Sequence, residues 1–592
     1  MVIDGVEIHK ANINSFWGYL IIEELVRNNI SHFCLSPGSR STPLAVAVAK
    51  NKRVNVLICY DERSAAYNAL GYARASGKPA VLICTSGSAA ANYFPAIIEA
   101  HQSAIPLIML TADRPPELRD TGANQTIDQI KMYSNYLNWQ FDLPCPDKKI
   151  VAQFVLTTID QAVYRAKRQP AGPVHINCMF REPLAPRVEA LSDSYLASIA
   201  GWEEKCEPHT DYSPCSVTTA KEVLKALAQK LNTSDKGVLA IGRLKSKEQA
   251  TAVLKFAQHI GWPVFADVTS GMRNKNTSTI INNFDQLLLS EYFAEVAKPE
   301  AILHIGPPLT SKRFLDFINR YPVQEYLVVA DHPFRHDPNH LVTRRFEHNI
   351  TDFCDQMISL TKHNQNERWI KDLINYDTTI NKEIDLFVKS THNISEISLA
   401  RIISQTIPKE HGLFLASSMP VRDMDMYGDF TQPHFYIAAN RGVSGIDGTI
   451  SSALGYACGL NKPVTVVVGD LAMIHDLNAL SQIKQVDVKL IIVVINNHGG
   501  GIFSFLPIAD FPDVFEKYFA TPHTISFKYA AELFQLDYNL VKTNEEFVSL
   551  YRDAVTSNRS LLLEVVTKRD ENSEMHRTLQ KRIRNTIDKL KP

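Results

Sequence analysis

Three α/β domains with parallel sheets are expected of this chain. A segment repeated near both ends, a stretch between the copies with strand and helix signals of its own, and a length of 592 residues, too long for one core, point to them. Ala69-Leu70-Gly71-Tyr72-Ala73 recurs 384 positions later as Ala453-Leu454-Gly455-Tyr456-Ala457, and Lys78-Pro79 recurs at the same offset as Lys462-Pro463. Each Lys-Pro pair opens an apolar run, residues 80–84 in one copy and 464–468 in the other. The offset also aligns Leu107-Ile108-Met109-Leu110 with Ile491-Ile492-Val493-Val494. Continuous apolar runs this short suit strands buried on both faces of a parallel sheet. Segments of helical length separate the runs, so crossover helices are expected between the strands of two similar domains.

Between the copies, polar, turn-rich stretches at 211–216 and 363–368 read as linkers. They bracket residues 237–242, 262–266 and 301–306, which read as strands ending at turns. The expected domains are 1–190, 215–362 and 395–592.

Lysine plus arginine (62) nearly balances aspartate plus glutamate (63), leaving a net charge of −1 and no chain-wide basic field for nucleic acid or a membrane surface. Residues 1–10 carry Asp4 and Glu7 and lack the basic start and apolar stretch of an export signal. Apolar runs such as 490–495 are far below the roughly 18 residues of a membrane span. Nine cysteines without a C-x-x-C pair, among them Cys34, Cys59, Cys84 and Cys458 in apolar segments, suit reduced thiols in a cytoplasm.

In open α/β sheets ligands sit beyond the carboxyl ends of strands. Asp470 follows the run 464–469 and Asn497 the run 490–496, 27 residues apart, about one strand–helix–strand unit. A carboxylate, an amide oxygen and a backbone carbonyl from the run Gly499-Gly500-Gly501 are hard ligands suited to Mg²⁺, which would hold a diphosphate. Gly442-Val443-Ser444-Gly445-Ile446-Asp447-Gly448, ahead of a helix, offers N–H donors to the same anion. Singly, Asp470 reads equally as a helix cap and Asn497 as a turn residue. Glu62, after the stretch 54–60, is by itself a charged helix start.

Gly469-Asp470 and Asn496-Asn497 at this spacing resemble the signature of thiamine-diphosphate enzymes, with Leu471 where many have glycine. Leu35-Ser36-Pro37-Gly38-Ser39-Arg40-Ser41-Thr42-Pro43-Leu44 narrows the resemblance to the SEPHCHC synthases of menaquinone biosynthesis. So do Thr111-Ala112-Asp113-Arg114-Pro115-Pro116-Glu117, Gly122-Ala123-Asn124-Gln125, Leu309-Thr310-Ser311-Lys312-Arg313, Ser418-Met419-Pro420-Val421-Arg422 and Asn440-Arg441-Gly442.

The resemblance implies pyrimidine-binding, central and diphosphate-binding domains, thiamine diphosphate, and Mg²⁺ or Mn²⁺ on Asp470, Asn497 and Gly499. It makes Glu62 the catalytic partner of the aminopyrimidine, and Ile446, Ile502 and Phe503 further cofactor contacts. Substrate contacts would be Ser39, Arg40, Arg114, Asn124, Gln125, Lys312, Arg313, Ser418, Arg422, Arg441 and Leu506. Ser417 stands where the family often has asparagine. The implied reaction decarboxylates 2-oxoglutarate and adds the succinyl unit to isochorismate. A cytoplasmic homodimer, or a tetramer built from dimers, is implied as well.

Two dicarboxylate substrates give a physical reason for so many arginines, although any one of them is more often a surface charge. The alternative within the superfamily is another 2-oxo acid carboligase or decarboxylase. Against a decarboxylase stands the absence of any His-His pair to protonate the intermediate. Outside it, the alternative is a relative without catalysis, disfavoured by Glu62, Asp470 and Asn497 occurring together.

Overall fold

A computed structural model describes residues 2–3, 6–7, 11–274, 276–363 and 366–591. Most of the N-terminal stretch 1–10, and residues 364–365 of the expected linker, lie outside the described residues. Three parallel sheets carry the chain, after a small antiparallel pair, Val2–Ile3 and Val6–Glu7.

The first sheet runs in space Asn55–Ile58, His32–Leu35, Ala80–Cys84, Leu107–Asp113, Pro173–Met179, Trp139–Leu143. The last runs Ile437–Ala438, Gly412–Leu415, Val464–Gly469, Leu490–Asn496, Leu561–Val566, Asp537–Val541. Numbered along the chain, both have the order 2-1-3-4-6-5, so the repeat read from sequence is a repeat of topology. The register corrects one detail. Ala80 pairs with Leu107 and Val464 with Leu490, so the offset drops by one residue between these strands.

The middle sheet has five strands, Val264–Ala266, Gly237–Ile241, Ala301–Ile305, Glu325–Ala330, Arg344–Glu347, in the doubly wound order 2-1-3-4-5. The expected strand at 262 starts at Val264; Trp262 instead packs its ring on Gly237, where a Cβ would meet it at 2.1 Å. The expected linker at 363–368 is also corrected, because a 23-residue helix, Glu367–Lys389, begins inside it. Its polar start is the solvent face of an amphipathic helix that buries Trp369, Ile370, Leu373, Ile380 and Ile384.

The chain divides into two compact units. One comprises 1–215, 440–462 and 475–488, and the other 216–439, 463–474 and 489–592. In the first, helix Ile13–Arg27 is buried almost all round, capped where Asn12 Oδ1 accepts from Ser15 N.

The two repeated helices, Glu62–Ser76 and Thr449–Leu460, pack on each other at glycine contacts. A Cβ on Gly71 would lie 2.0 Å from Ser452 O, and one on Gly455 1.9 Å from Asn68 O. Gly455→Ala is therefore expected to destabilise the protein by roughly 1–3 kcal/mol, from overpacking, although alanine is worth about 1 kcal/mol more than glycine in a free helix. Urea denaturation of the first unit's transition gives the sign. In the second unit one core joins the middle and last sheets, including Phe265, Phe284, Phe314, Leu413, Val467 and Ile491.

Among the described residues no helix is long and apolar enough to cross a membrane. All nine cysteines are free; Cys34, Cys59 and Cys84 are buried as expected, whereas Cys206 and Cys215 are exposed.

Candidate cofactor and substrate sites

In the second unit, Asp470 begins the helix Asp470–His475 directly after strand Val464–Gly469. Its Oδ1 accepts from Leu471 N at 2.7 Å and its Oδ2 from Gly499 N at 2.9 Å, so the ends of two adjacent strands meet at this carboxylate. His523 Nε2 lies 3.2 Å from Oδ2. Burial holds the Asp470 carboxyl above its ordinary range, against the pull of these donors.

Asn497 donates from Nδ2 to Glu396 Oε1 at 3.0 Å. That fixes its amide and leaves the buried Oδ1 without a hydrogen-bond partner. Glu396, buried and close to Asp470, has its pKa pushed up to about 7, chiefly by burial. Gly499 has φ +147°, and a Cβ there would meet Ala520 O at 2.2 Å, so only glycine brings this backbone alongside Asp470. Among the described residues no three His, Cys, Asp or Glu side chains form a metal cage. One carboxylate, one amide oxygen in want of a partner and one carbonyl fit instead a hard cation that takes its remaining ligands from phosphate and water.

The turn Gly501–Phe505 follows, with Phe503 edge-on to Phe519 and Leu506 half exposed beyond it. Ile502 is partly buried in the same turn. A cavity of about 370 Å³ in this unit is lined by Lys312, Arg313, Arg422, Phe505 and His576. Lys312 and Arg313 open a helix capped by Ser311. Asp285 anchors that corner, accepting from Arg313 Nη1 at 2.6 Å and Ser311 Oγ at 2.5 Å. Ser418 stands at the N-cap of helix Met419–Tyr427 with no capping bond from its side chain. Arg422, one turn in, donates to the carbonyls of Ser417 and Ser418 at 2.8 and 2.6 Å.

In the first unit, Glu62 is the first residue of its helix, behind the N-cap Asp61. Desolvation raises its carboxyl pKa, with Asp61 adding to the effect. Arg40 donates to Phe180 O at 2.9 Å and pairs with Glu182 at 3.3 Å. Arg114 donates to Ser86 Oγ and to Gln125 O. Burial and the like charge of Arg40 hold the Arg114 guanidinium below its ordinary value, which places the two cations near each other. Gln125 is held in the left-handed region (φ +55°) and donates to Ser86 O at 3.1 Å. Ser39 and Asn124 are exposed beside them, and Ile446 and Arg441 lie in the glycine loop.

The start of that loop is engaged within the protein. The N–H groups of Gly442 and Val443 donate to the Glu99 carboxylate at 2.9 and 2.8 Å, and Ser451 N donates to Asp476 Oδ2 at 2.8 Å. Two buried carboxylates of the protein satisfy these three donors. Glu396, His523, Asp285 and His576 were not legible in the sequence; each reaches its partner across a long separation, with no motif around it.

Residues 17–132 match the N-terminal TPP binding domain of thiamine pyrophosphate enzymes, 193–415 the middle domain and 421–565 the C-terminal TPP binding domain. The 2-succinyl-5-enolpyruvyl-6-hydroxy-3-cyclohexene-1-carboxylate synthase of Rubrobacter xylanophilus is 41% identical over 570 residues, covering 96% of this chain and 98% of the relative. The enzyme of that name from Prosthecochloris aestuarii is 41% identical over 583 residues, covering 98% and 99%. The crystal structure of benzoylformate decarboxylase from Polynucleobacter necessarius superposes with a TM-score of 0.73 at 17% identity, over 93% of this chain and 98% of that one, a likeness of fold. With a carboxylate and an amide at the strand ends where a metal diphosphate would sit, and with relatives this similar along nearly the whole chain, the protein belongs to the 2-succinyl-5-enolpyruvyl-6-hydroxy-3-cyclohexene-1-carboxylate (SEPHCHC) synthase family of thiamine-diphosphate enzymes.

Proposed function

We propose that this chain decarboxylates 2-oxoglutarate and adds the four-carbon succinyl unit to isochorismate, releasing carbon dioxide and SEPHCHC, a step of menaquinone biosynthesis. The observation that carries the reading is the gathering of Lys312, Arg313 and Arg422 around one cavity. Three cations suit doubly charged substrates, whereas a decarboxylase of simple aromatic or aliphatic 2-oxo acids needs an apolar wall there.

Thiamine diphosphate supplies the carbon nucleophile and the electron sink for loss of carbon dioxide. Mg²⁺ or Mn²⁺ is the proposed counter-ion of its diphosphate, held by Asp470 Oδ, Asn497 Oδ1 and the Gly499 carbonyl. Ile446, Ile502 and Phe503 are proposed to wall the cofactor. Glu62, whose carboxyl pKa burial raises, is proposed to hydrogen-bond the aminopyrimidine of the cofactor. Ser39, Arg40, Arg114, Asn124, Gln125, Ser418, Arg441 and Leu506 complete the proposed substrate contacts.

The domain bounds 1–190, 215–362 and 395–592 are supported by each enclosing one parallel sheet. We also propose a homodimer, or a tetramer built from dimers, acting in the cytoplasm. The free state of all nine thiols supports a reducing compartment.

Mass analysis of the product from 2-oxoglutarate and isochorismate, with cofactor and Mg²⁺, tests the reaction. The arginines are expected to divide between its halves. Arg422→Ala and Arg441→Ala should slow carbon dioxide release from 2-oxoglutarate alone. Arg40→Ala and Arg313→Ala should spare that release and depress transfer to isochorismate. Loss of one charge-assisted bond, about 1.5–3 kcal/mol, corresponds to roughly ten- to a hundredfold in each case. Equal slowing of the first half in all four variants would refute the division.

A further inference from the structure

The cavity lined by Lys312, Arg313 and Arg422 also has an acid in its wall, Asp285. It stands in the short helix Phe284–Leu287, whose Phe284 and Leu287 pack into the core that joins the middle and last sheets. Asp285 is 3% exposed, and three donors hold its carboxylate. Ser311 Oγ donates to Oδ2 at 2.5 Å, and Arg313 Nη1 and Gln286 Nε2 donate to Oδ1 at 2.6 and 2.9 Å. The same Ser311 oxygen caps helix Lys312–Arg320, accepting from Phe314 N at 3.1 Å. One buried anion therefore ties down both the backbone where that helix starts and the guanidinium of its second residue.

Arg313 is the exposed member of the group, with 28% of its side chain open against 4% for Asp285. Within the protein only its Nη1 is engaged, by Asp285 and by Met426 Sδ at 3.6 Å. Nε and Nη2 have no hydrogen-bond partner among the described residues, and neither is buried. The structural arginines of the same unit differ. Arg401 places Nε on Asp385, Nη1 on Tyr427 O and Nη2 on Asn381, and Arg273 places Nε on Ala266 O and both terminal nitrogens on Asp425. The two nitrogens that Arg313 leaves over form the side-on fork of a guanidinium, the edge that takes both oxygens of a carboxylate. A free surface arginine loses rotamer entropy when it grips an anion, whereas one pinned at Nη1 has lost it beforehand.

We propose that Asp285 is a positioning residue for substrate recognition: by pinning Nη1 it holds the Nε–Nη2 edge of Arg313 ready for a carboxylate of the acceptor substrate. The identity of that substrate, isochorismate, rests on the proposed reaction; the pinned edge does not.

Asp285→Asn is isosteric and keeps an oxygen for Ser311, but it removes the anion that holds Nη1. In the full-length holoenzyme it is expected to raise KM for isochorismate about tenfold, and to change kcat and the 2-oxoglutarate KM less than about threefold. In the Arg313→Ala background the same change should add less than about twofold, because the carboxylate acts only through the guanidinium. Arg313→Lys keeps a cation for the buried carboxylate; with its one nitrogen on Asp285 and no fork left, it should raise the isochorismate KM about as far as Arg313→Ala. Phenylglyoxal modification mapped by mass spectrometry reads the pinning without turnover: Arg313 should react several-fold faster in Asp285→Asn, with Arg422 unchanged. If the parent makes no SEPHCHC yet Arg313 alone reacts faster in the variant, the reaction fails and the positioning role stands. An equal effect of Asp285→Asn with and without Arg313, a lysine variant within about threefold of the parent, unchanged modification of Arg313, or an equal gain at Arg422 would overturn the proposal.

Discussion

Asp470→Ala is expected to reduce SEPHCHC formation at least about a thousandfold and to abolish the rise in Tm that thiamine diphosphate and Mg²⁺ together produce in the parent enzyme. The carboxylate is 2% exposed and gathers Leu471 N, Gly499 N and His523 at the ends of two neighbouring strands. Alanine removes the only charged ligand of the proposed cation site and releases the Gly499 backbone from its place. Two charged hydrogen bonds at about 1.5–3 kcal/mol each already approach the roughly 4 kcal/mol of a thousandfold effect, before any metal bond is counted. Thermal denaturation with and without cofactor and metal checks the binding arm, since a ligand confined to the native state stabilises it by RT ln(1 + [L]/Kd) and so raises Tm. A variant that still gains the full Tm rise would remove Asp470 from the diphosphate site, whatever its activity.

Glu62→Gln should behave differently, losing about a hundred- to ten-thousandfold in turnover while binding the cofactor nearly as well, because it removes a transferable proton and leaves shape almost unaltered. The pH profile offers a sharper signature. Burial holds the Glu62 carboxyl above its ordinary value, so the proton is kept at pH values where a free glutamate has lost it, and is given up as pH rises through the raised value. kcat/KM of the parent enzyme should fall along that alkaline limb. The glutamine variant, which cannot titrate there, should lack it. Loss of the limb without loss of cofactor affinity supports the assignment; an identical limb in both proteins assigns it to another group.

Much of the architecture was legible because it repeats. A pentapeptide and a Lys-Pro pair at constant spacing identified two domains of one topology, and the common strand order 2-1-3-4-6-5 is the physical content of that match. Asp470 and Asn497 were legible because strand ends are where such sheets hold ligands, and spacing along the chain maps directly onto neighbouring strands. What lay hidden depended on distant partners. Nothing near Glu396 announces that it orients Asn497, 101 residues away. Nothing in the glycine loop reveals that Glu99, 343 residues before Gly442, accepts from its first two N–H groups. The helix from Glu367 was read as a linker because its first turn is charged; its apolar stripe emerges only at helical spacing over the following turns.

The packing of helix Thr449–Leu460 on helix Glu62–Ser76 bears on how the protein is made. Tyr67 and Asp447, hydrogen-bonded in the finished unit, are 380 residues apart. A ribosome adding about 5–20 residues per second therefore needs some 20–80 seconds between the two helices, during which the first sheet is complete but its partner does not yet exist. The nascent chain must carry the narrow glycine-lined face around Gly71 uncovered for that interval. That face is open to premature pairing with a neighbouring nascent chain, and synthesis rate and chaperone supply, as much as native stability, would then set the yield of folded enzyme.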